Sequence, residues 1–255
     1  MAWTPKIGPL SLPAKYPGNS YSVVTDGLAQ NAHAPPGNGI IAGLPTEELH
    51  HLQPHVQRVS WHRGQILLEV AAPLDHFYFP ESGMVCTFAV MDDGRTVALA
   101  AIGREGFLDV AAFLGAESVP LRAVVVIGGD AIKLSRVELQ RILPVSPQLA
   151  ASLRRYSSSY LAQIATHGAC HALHNVPQRV ACWLLMVGDR TNSDLLALTH
   201  ESLSELLGCR RSSVTESLAL LVNAGAIRCG RGQIGVLDHE RLAQQACECY
   251  EAISK

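Results

Sequence analysis

Residues 199–226 read THESLSELLGCRRSSVTESLALLVNAGA, and this stretch decides the fold of the C-terminal third of the chain. Two apolar helix faces flank a short break at Gly208-Cys209. The faces consist of Leu203, Leu206, Leu207, Val214, Leu218, Leu221 and Val222. Because glycine permits a positive φ, the break allows a tight turn that folds one face onto the other at a steep angle. The stretch predicts a helix-turn-helix, with an ordinary helical hairpin in a core as the alternative.

The second helix of this stretch presents polar side chains outward. Arg211, Ser212, Thr215 and Glu216 are of the types that contact base edges and phosphates in a major groove. Residues 227–229 and 233–237 then flank Gly230-Arg231-Gly232, which predicts a two-stranded hairpin with a basic tip. That hairpin has the layout of a wing.

Composition restricts the class of protein. The 255 residues carry a formal net charge of -2, so any nucleic-acid contact must come from a local patch, for which Arg210, Arg211, Arg228 and Arg231 are available. None of the seven cysteines forms a C-x-x-C pair and none precedes residue 86, which argues against zinc-finger and thioredoxin folds. A signal peptide and a membrane-spanning segment are not evident, so we expect a cytoplasmic protein without a membrane partner and with reduced cysteines.

The N-terminal half predicts a lead-in arm followed by a β domain. Residues 1–39 are rich in Pro, Gly, Asn and Ser, and we expect them to be disordered. A short helix over 46–53, with Thr46 as its N-cap, opens a domain that spans 40–146. Short apolar runs separated by turns predict an antiparallel barrel or sandwich, with Asp93-Gly94 as a hairpin turn. The predicted strands are 56–61, 66–70, 76–79, 84–91, 96–102, 122–127 and 131–135.

A long helix is predicted between the two domains. Ser135 and Glu138 have the form of a capping box for a short helix that ends at Leu143, before Pro144. Pro147 then begins a helix that reaches about residue 172, some 40 Å at 1.5 Å per residue, within a dimerisation and hinge segment 147–174. Its heptad-like seam predicts a homodimer, with packing on its own barrel as the alternative. The seam residues are Leu149, Leu153, Tyr156, Tyr160, Ile164 (or its neighbour Gln163) and His167.

The last predicted domain is 175–255. Asn175 and Pro177 can cap and start a helix over 178–188, and a polar loop over 189–194 leads to the helix-turn-helix. After the wing, Asp238 is a candidate cap for a final helix that ends in Cys247-Glu248-Cys249.

The order of β domain, long helix, helix-turn-helix with Gly-Cys at the turn, and wing resembles the Crp/Fnr family of bacterial transcription regulators. The resemblance covers about residues 40–250 and is most specific in LTHESLSELLGCRRSSVT, at 198–215. It implies an α+β fold in which a cyclic-nucleotide-binding-like barrel or jelly roll is joined by a dimerisation helix to a winged helix-turn-helix. It further implies a homodimeric, sequence-specific regulator of palindromic promoter DNA, with RNA polymerase as a further candidate partner.

The resemblance also assigns site residues. Arg211 falls on the family's base-reading arginine, whereas Ser212 and Glu216 depart from the glutamate and arginine common at their positions, so a different half-site is expected. Thr199 and His200 fall where backbone contacts lie, and Arg228 and Arg231 look like phosphate contacts of the wing. The predicted DNA-binding residues are Thr199, His200, Arg210, Arg211, Ser212, Ser213, Thr215, Glu216, Arg228 and Arg231.

The sensor domain departs from the cyclic-nucleotide-binding members. The stretch that resembles their phosphate cassette, 106–115, lacks the Gly-Glu pair, and Arg122 is followed by Ala123 in an apolar strand. Glu105, Gly106 and Arg122 are the candidate effector-pocket residues, with Glu105, Asp109 or Glu117 as possible partners of Arg122. We expect no cyclic-nucleotide binding and no cofactor, and the sequence leaves the effector unidentified.

Two alternative switches come from His and Cys residues. His167, Cys170, His171 and His174 share one face of the helix end at i, i+3, i+4 and i+7, which is compatible with a metal site or with ordinary helix-terminal histidines. Cys209 adjoins Arg210 and Arg211 at a helix N-terminus, which favours a thiolate and a redox role; a small turn residue is the alternative.

A helix-turn-helix that docks protein instead of DNA is a further alternative. An enzyme is not expected, since the sequence holds no nucleophile elbow, paired-carboxylate or metalloprotease spacing and no glycine-rich phosphate loop.

Overall fold

Two short helices precede the first sheet in the computed structural model, which describes residues 37–254. Helix α1 is Gly39–Ala42 and α2 is Thr46–Leu52, followed by a 3-10 turn. Pro45, not the predicted Thr46, is the N-cap of α2 and provides no side-chain cap. The predicted disordered arm lies almost wholly outside the described residues.

Seven antiparallel strands form two sheets that face each other across an aromatic core. The strands are β1 (Val56–Trp61), β2 (Ile66–Leu68), β3 (His76–Pro80), β4 (Met84–Val90), β5 (Thr96–Ile102), β6 (Leu121–Ile127) and β7 (Gly129–Ser135). One sheet has the order β1-β7-β3 and the other β2-β6-β4-β5, with helix α3 (Val110–Phe113) between β5 and β6. Phe77, Phe79 and Phe107 are almost completely buried in this domain. The predicted seven-stranded β domain is present, with β2 two residues shorter than expected.

Turn residues set the ends of the strands, as in the β4–β5 hairpin. Gly94 adopts φ +83° in the β4–β5 hairpin, and the Asp93 carboxylate accepts a hydrogen bond of 3.0 Å from the Arg95 backbone N–H. A side chain other than glycine's is strained at that φ, so the Asp-Gly pair sets the turn.

Ser135 is the N-cap of helix α4 (Arg136–Ile142), and its hydroxyl accepts a hydrogen bond from the Glu138 backbone N–H. The Glu138 carboxylate pairs with Arg141 at 3.0 Å instead of completing the predicted capping box, and the helix ends one residue before the predicted Leu143. A 3-10 turn over 143–145 then leads to the long helix α5 (Pro147–Leu173). The buried carboxylate of Glu48, in α2, accepts from the backbone N–H groups of Gln148 and Leu149, both at 3.0 Å. A negative charge at a helix N-terminus is stabilising, so Glu48 fixes the start of α5 on the β domain.

The seam predicted for dimerisation faces the chain's own β domain, so its assignment to a dimer is wrong. Leu149, Leu153, Tyr160 and His167 are buried within the single chain, and Tyr156 and Ile164 pack partly buried against the same core. The Tyr160 hydroxyl lies 3.0 Å from the Thr87 hydroxyl of β4. A heptad pattern identifies an apolar helix face but not what covers it, and here a β-sheet covers it.

The C-terminal domain is a winged helix-turn-helix. Its helices are α6 (Val176–Thr191), α7 (His200–Leu207), α8 (Arg211–Asn223), α9 (His239–Gln245) and α10 (Cys249–Ser254), and its strands are β8 (Leu195–Leu196), β9 (Ile227–Gly230) and β10 (Gln233–Val236). The strand order is β8-β10-β9. Asn175 caps α6 in a reciprocal capping box with Gln178, and Asp238 caps α9. The helix expected to end at Cys249 instead ends at Gln245, and a separate helix begins at Cys249.

One of two hydrophobic clusters spans both domains, and the other lies within the β domain and against α5. Met84, Phe88 and Ala98 of the β domain are buried in the same cluster as Trp183 and Leu185 of α6. Among the described residues, no helix is both long and apolar enough to cross a membrane.

Candidate nucleic-acid interface

The turn between α7 and α8 has the geometry that the sequence predicts. Gly208 ends α7 in the left-handed region at φ +59° and ψ +36°, and the Cys209 N–H donates to the Ser204 carbonyl. Thr199 and Ser202 cap the start of α7 reciprocally. The apolar faces of both helices are buried, with Leu203, Leu206, Leu207, Val214, Leu218 and Leu221 at 0–1% exposure, whereas Val222, predicted on the same face, is 41% exposed. The outer face of α8 is therefore held rigidly.

That outer face is exposed and polar. Arg211, Ser212, Thr215 and Glu216 are exposed on α8, Arg210 is exposed at its N-cap, and Ser213 is half-buried. A helix N-terminus with free backbone N–H groups and two arginines attracts phosphate, and Arg211 can donate bidentately to a guanine. The structure thus brings the predicted residues of α8 together on one surface.

Helix α7 and its N-cap contribute side chains that contact this surface of α8. His200 and Thr199 are half-buried, and His200 Nδ1 lies 2.9 Å from the Thr215 hydroxyl. Because that hydroxyl donates to the Arg211 carbonyl at 3.0 Å, the histidine must donate from Nδ1. The Glu201 carboxylate lies 3.8 Å from Arg211 Nη1, with both side chains largely exposed. Arg211 is thus paired with Glu201 in the free protein.

The wing presents two more arginines to solvent. Arg231 is exposed at the tip beside Gly232, which turns the chain at φ +73°. Arg228 is exposed on β9, and its stem lies across Gly235, where an added Cβ would lie 2.9 Å from Arg228 Nε. Both guanidinium groups are free to contact a phosphate backbone.

The helix-turn-helix is packed against the sensor domain. A Cβ atom at Gly208 would lie 3.1 Å from the Val97 Cβ and 3.2 Å from the Thr96 carbonyl, both in β5. Arg63, in the β1–β2 turn, donates to the Ala197 carbonyl at 3.2 Å and approaches the Thr199 hydroxyl at 3.5 Å. Sequence reasoning missed these contacts, since no local pattern marks a pair of groups 134 residues apart.

The candidate effector-pocket residues do not form one anion site. The Glu105 carboxylate accepts from the Gly103 N–H at 3.0 Å and pairs with Arg190 of α6 at 3.1 Å. Arg122 pairs with Glu69 at 2.8 Å, and none of its three predicted partners is its partner here. Burial raises the pKa of the Glu69 carboxyl, but hydrogen bonds from Arg122 and the Val70 N–H, together with the Arg122 charge, outweigh burial and lower that pKa. Each charge is therefore neutralised by a different partner.

Aromatic side chains fill the space over Gly106. The Tyr156 ring lies so close to Gly106 that an added Cβ would overlap it, and its centroid is 5.3 Å from that of Phe107. Burial raises the pKa of the Tyr156 hydroxyl well above its usual range. Beside Tyr156, a pocket of about 410 Å³ is bordered by Glu105, Arg155 and Arg190, among others.

The predicted His and Cys face of α5 is divided between two neighbours. His167 Nδ1 lies 2.8 Å from the Leu99 carbonyl, and His171 Nε2 lies 3.0 Å from the Ala98 carbonyl, so both imidazoles turn to β5. Burial against Trp183, whose ring is stacked at 5.1 Å, lowers the pKa of His167 to about 4. The hypothesis that these four residues form one metal site is therefore wrong, because Cys170 and His174 point away from His167 and His171.

Cys209 does not have the environment predicted for a redox thiolate. It is half-buried, and burial raises the pKa of its thiol even though the nearby Arg179 guanidinium opposes the shift. Arg179 also donates to the Leu207 carbonyl at 3.3 Å. The cysteine is therefore a small half-buried residue of the turn.

Both domains match known families. Residues 58–144 match the cyclic nucleotide-binding domain, and residues 178–245 match the Crp-like helix-turn-helix domain. The CRP-like cAMP-activated global transcriptional regulator of Mycobacterium tuberculosis is 26% identical over 215 residues, 82% of this chain and 96% of the relative. The transcriptional regulator SdrP of Thermus thermophilus is 27% identical over 198 residues, 74% of this chain and 94% of that protein.

The fold is also similar to that of a solved structure. The structure of FixK2 from Bradyrhizobium japonicum superimposes with a TM-score of 0.65 at 20% identity, covering 75% of this chain and 98% of that one. The chain belongs to the Crp/Fnr family of transcriptional regulators, a non-enzymatic family. Its helix-turn-helix makes it a DNA-binding transcription regulator.

Proposed function

We propose that the protein is a homodimer that reads a palindromic or nearly palindromic promoter site through helix α8 of each copy. The exposed arginine-bearing face of α8, held by its buried opposite face, supports this proposal most directly. Two copies reading successive major grooves on one side of the duplex need a spacing of about 34 Å.

The surface that supports a dimer is the solvent face of α5, opposite the seam that the sequence suggested. It consists of small and apolar exposed residues at heptad-like spacing: Ser158, Leu161, Ala162, Ala165, Gly168, Ala169 and Ala172. Leu161 is 54% exposed in the single chain. Small side chains let two helices approach closely, so a second α5 covers this face well.

Oligomeric state tests this part of the proposal. Leu161→Glu should convert the dimer to a monomer, because it introduces two charges at the centre of the helix pair. Val137→Glu is the matched control, since Val137 is 55% exposed on α4, away from this face. Light scattering coupled to size exclusion measures both. A monomeric wild type, or a Leu161→Glu variant that stays dimeric, would refute the dimer.

DNA reading is tested by selecting binding sites from random duplexes. Arg211→Ala should lose discrimination at one base position of each half-site, about 1–3 kcal/mol, because its bidentate contact is lost. Arg231→Ala should weaken binding to all sequences alike and reduce the salt slope by about one, since it contacts phosphate. Because Ser212 and Glu216 occupy the neighbouring positions, the selected half-site should differ from the family's usual one. Full discrimination by Arg211→Ala would show that another residue reads the base.

We further propose that the sensor domain does not bind a cyclic nucleotide. Glu105 and Arg122 are neutralised by other side chains, and Tyr156 covers Gly106. The relative from Mycobacterium tuberculosis is cAMP-activated, so cAMP is a nucleotide to test. Calorimetric titration with cAMP and cGMP should give no saturable heat, and neither nucleotide should change DNA affinity. Saturable binding of either nucleotide would refute this part.

A further inference from the structure

Four metal-ligating side chains meet where the end of α5 contacts the C-terminal helix α10. Cys170 lies in the last turn of α5 and His174 is its C-cap, one helical turn further on. Cys249 begins α10 and Cys247 lies two residues before it. The four donor atoms, three sulfurs and an imidazole nitrogen, all lie within 4.8 Å of one another. The three cysteines are 4–5% exposed, so the group is enclosed by protein.

The distances suit a single tetrahedral ion. Cys170 Sγ lies 3.5 Å from Cys247 Sγ, and His174 Nδ1 lies 3.6 Å from Cys249 Sγ. Zn–S bonds of 2.3 Å in a tetrahedron place two sulfurs about 3.8 Å apart. A [4Fe–4S] cluster binds each protein ligand to a different iron, and a [2Fe–2S] cluster divides four ligands between two irons, so either cluster holds some donors further apart than one ion does. Three thiolates and one imidazole are also a common donor set of structural zinc sites.

The imidazole of His174 is oriented as zinc-binding histidines are. Its Nδ1 faces Cys249, and its Nε2 lies 3.3 Å from the Glu248 carboxylate. Metal-ligating histidines typically donate the N–H of the second ring nitrogen to a carboxylate, which fixes the tautomer that leaves the first nitrogen free to bind metal. Glu248 lies between the two C-terminal cysteines, so one short segment supplies two ligands and the supporting carboxylate.

We propose that Cys170, His174, Cys247 and Cys249 form a tetrahedral Zn²⁺ site. On binding, the three thiols release their protons to solvent as zinc–thiolate bonds form, and His174 binds through the neutral Nδ1 atom. The site joins the C-cap of α5 to α10, directly before Asn175, where α6 begins. It thereby fixes the hinge between the long helix and the DNA-binding domain. Any effect of zinc on DNA affinity rests on the proposed function, whereas the metal content does not.

Metal analysis of the full-length protein tests the site without DNA. The protein, purified under reducing conditions and dialysed after addition of zinc, should retain one zinc per chain. Cys247→Ser and Cys249→Ser should lose the bound zinc, while Cys229→Ser, on the exposed wing strand β9, should retain it. Glu248→Gln should weaken zinc binding about 10- to 100-fold in competition with a chelator, because the carboxylate orients His174.

Two further measurements do not depend on whether a serine variant folds. Co²⁺ added to the metal-free wild type should give thiolate-to-cobalt charge-transfer bands and the intense visible absorption of a tetrahedral site. His174→Cys should retain the metal as a four-thiolate site, whereas His174→Ala should bind it more weakly. The proposal is overturned by a reduced wild type that retains no zinc, by a native Cys170–Cys247 disulfide, or by an iron–sulfur spectrum.

Discussion

The Glu105 carboxylate of the sensor domain lies 3.1 Å from Nε of Arg190 in helix α6 of the DNA-binding domain. The Arg190 side chain is 10% exposed and also donates to the carbonyls of Ala101 and Met186, at 3.2 and 3.4 Å. Arg190 therefore connects the loop after β5 to the DNA-binding domain, through an ion pair with Glu105 and hydrogen bonds to backbone carbonyls.

The two partners of this pair should differ in their effect on stability. Arg190→Ala should lower the free energy of unfolding by about 1–3 kcal/mol, because the Ala101 and Met186 carbonyls lose a charged hydrogen-bond donor. Glu105→Ala should lower it by at most about 1 kcal/mol, since the carboxylate is 42% exposed and solvent screens the pair. Urea denaturation of both variants measures the order. An equal or larger loss for Glu105→Ala would show that the ion pair, and not the carbonyl contacts, joins the domains.

Gly208 allows the domain contact itself to be measured. Gly208→Ala should cost about 1–2 kcal/mol for placing a side chain at positive φ, plus the cost of displacing Val97 and the Thr96 carbonyl. Gly232→Ala is the matched control, because Gly232 also has positive φ, at +73°, but has nothing within 4 Å of an added Cβ. The difference between the two losses in denaturation midpoint reports the docking of the helix-turn-helix on β5. Equal losses would mean that the turn is not pressed against the sensor domain.

Asp109 makes stability depend on pH. It is a non-glycine residue at φ +75°, and burial raises the pKa of its carboxyl from 3.8 to about 7. A carboxyl whose folded pKa is raised favours folding at low pH, and this contribution is lost as pH rises from about 4 through 7. Asp109→Asn should therefore be more stable than wild type at pH 8, by up to roughly 4 kcal/mol at 1.36 kcal/mol per pKa unit. Asparagine also tolerates this φ.

The control for Asp109 is the same pair of proteins at low pH. Near pH 4 the carboxyl is protonated in the folded state, so wild type and Asp109→Asn should unfold at nearly the same urea concentration. A difference that is constant from pH 4 to pH 8 would show that the effect arises from packing and not from ionisation.

Most of the fold could be predicted because its signals are local. The bounds of β1 and β5 agree with the predicted 56–61 and 96–102, because an apolar run and a glycine turn are each defined by a few consecutive residues. The turn at Gly208 and the cap at Asn175 were predicted from backbone chemistry for the same reason. The resemblance of residues 198–215 to a known family then supplied what local signals cannot, namely the base-reading role that we propose for Arg211.

The parts that could not be predicted depend on contacts between distant segments. The seam on α5 was assigned to a partner helix because periodicity shows a face and not its neighbour. Glu48 belongs to the predicted helix over 46–53, yet its carboxylate caps a helix 100 residues further on. Cys170 and Cys247 are 77 residues apart, and no spacing rule joins them. The sequence therefore grouped Cys170 with His167, His171 and His174, of which only His174 lies beside it.

Glu201 should limit the affinity of the free protein for DNA. Its carboxylate lies 3.8 Å from Nη1 of Arg211, so it competes with a base or phosphate for that guanidinium and adds a negative charge beside the duplex. Glu201→Gln should therefore tighten binding to all sequences, by at most about fivefold, since exposed pairs contribute at most about 1 kcal/mol. Glu47→Gln, at an exposed site in α2, makes the same change in net charge away from α8 and should leave the affinity unchanged. Fluorescence anisotropy at one salt concentration measures all three proteins. A loss of affinity confined to particular bases in Glu201→Gln would show instead that the carboxylate accepts a hydrogen bond from a cytosine amino group.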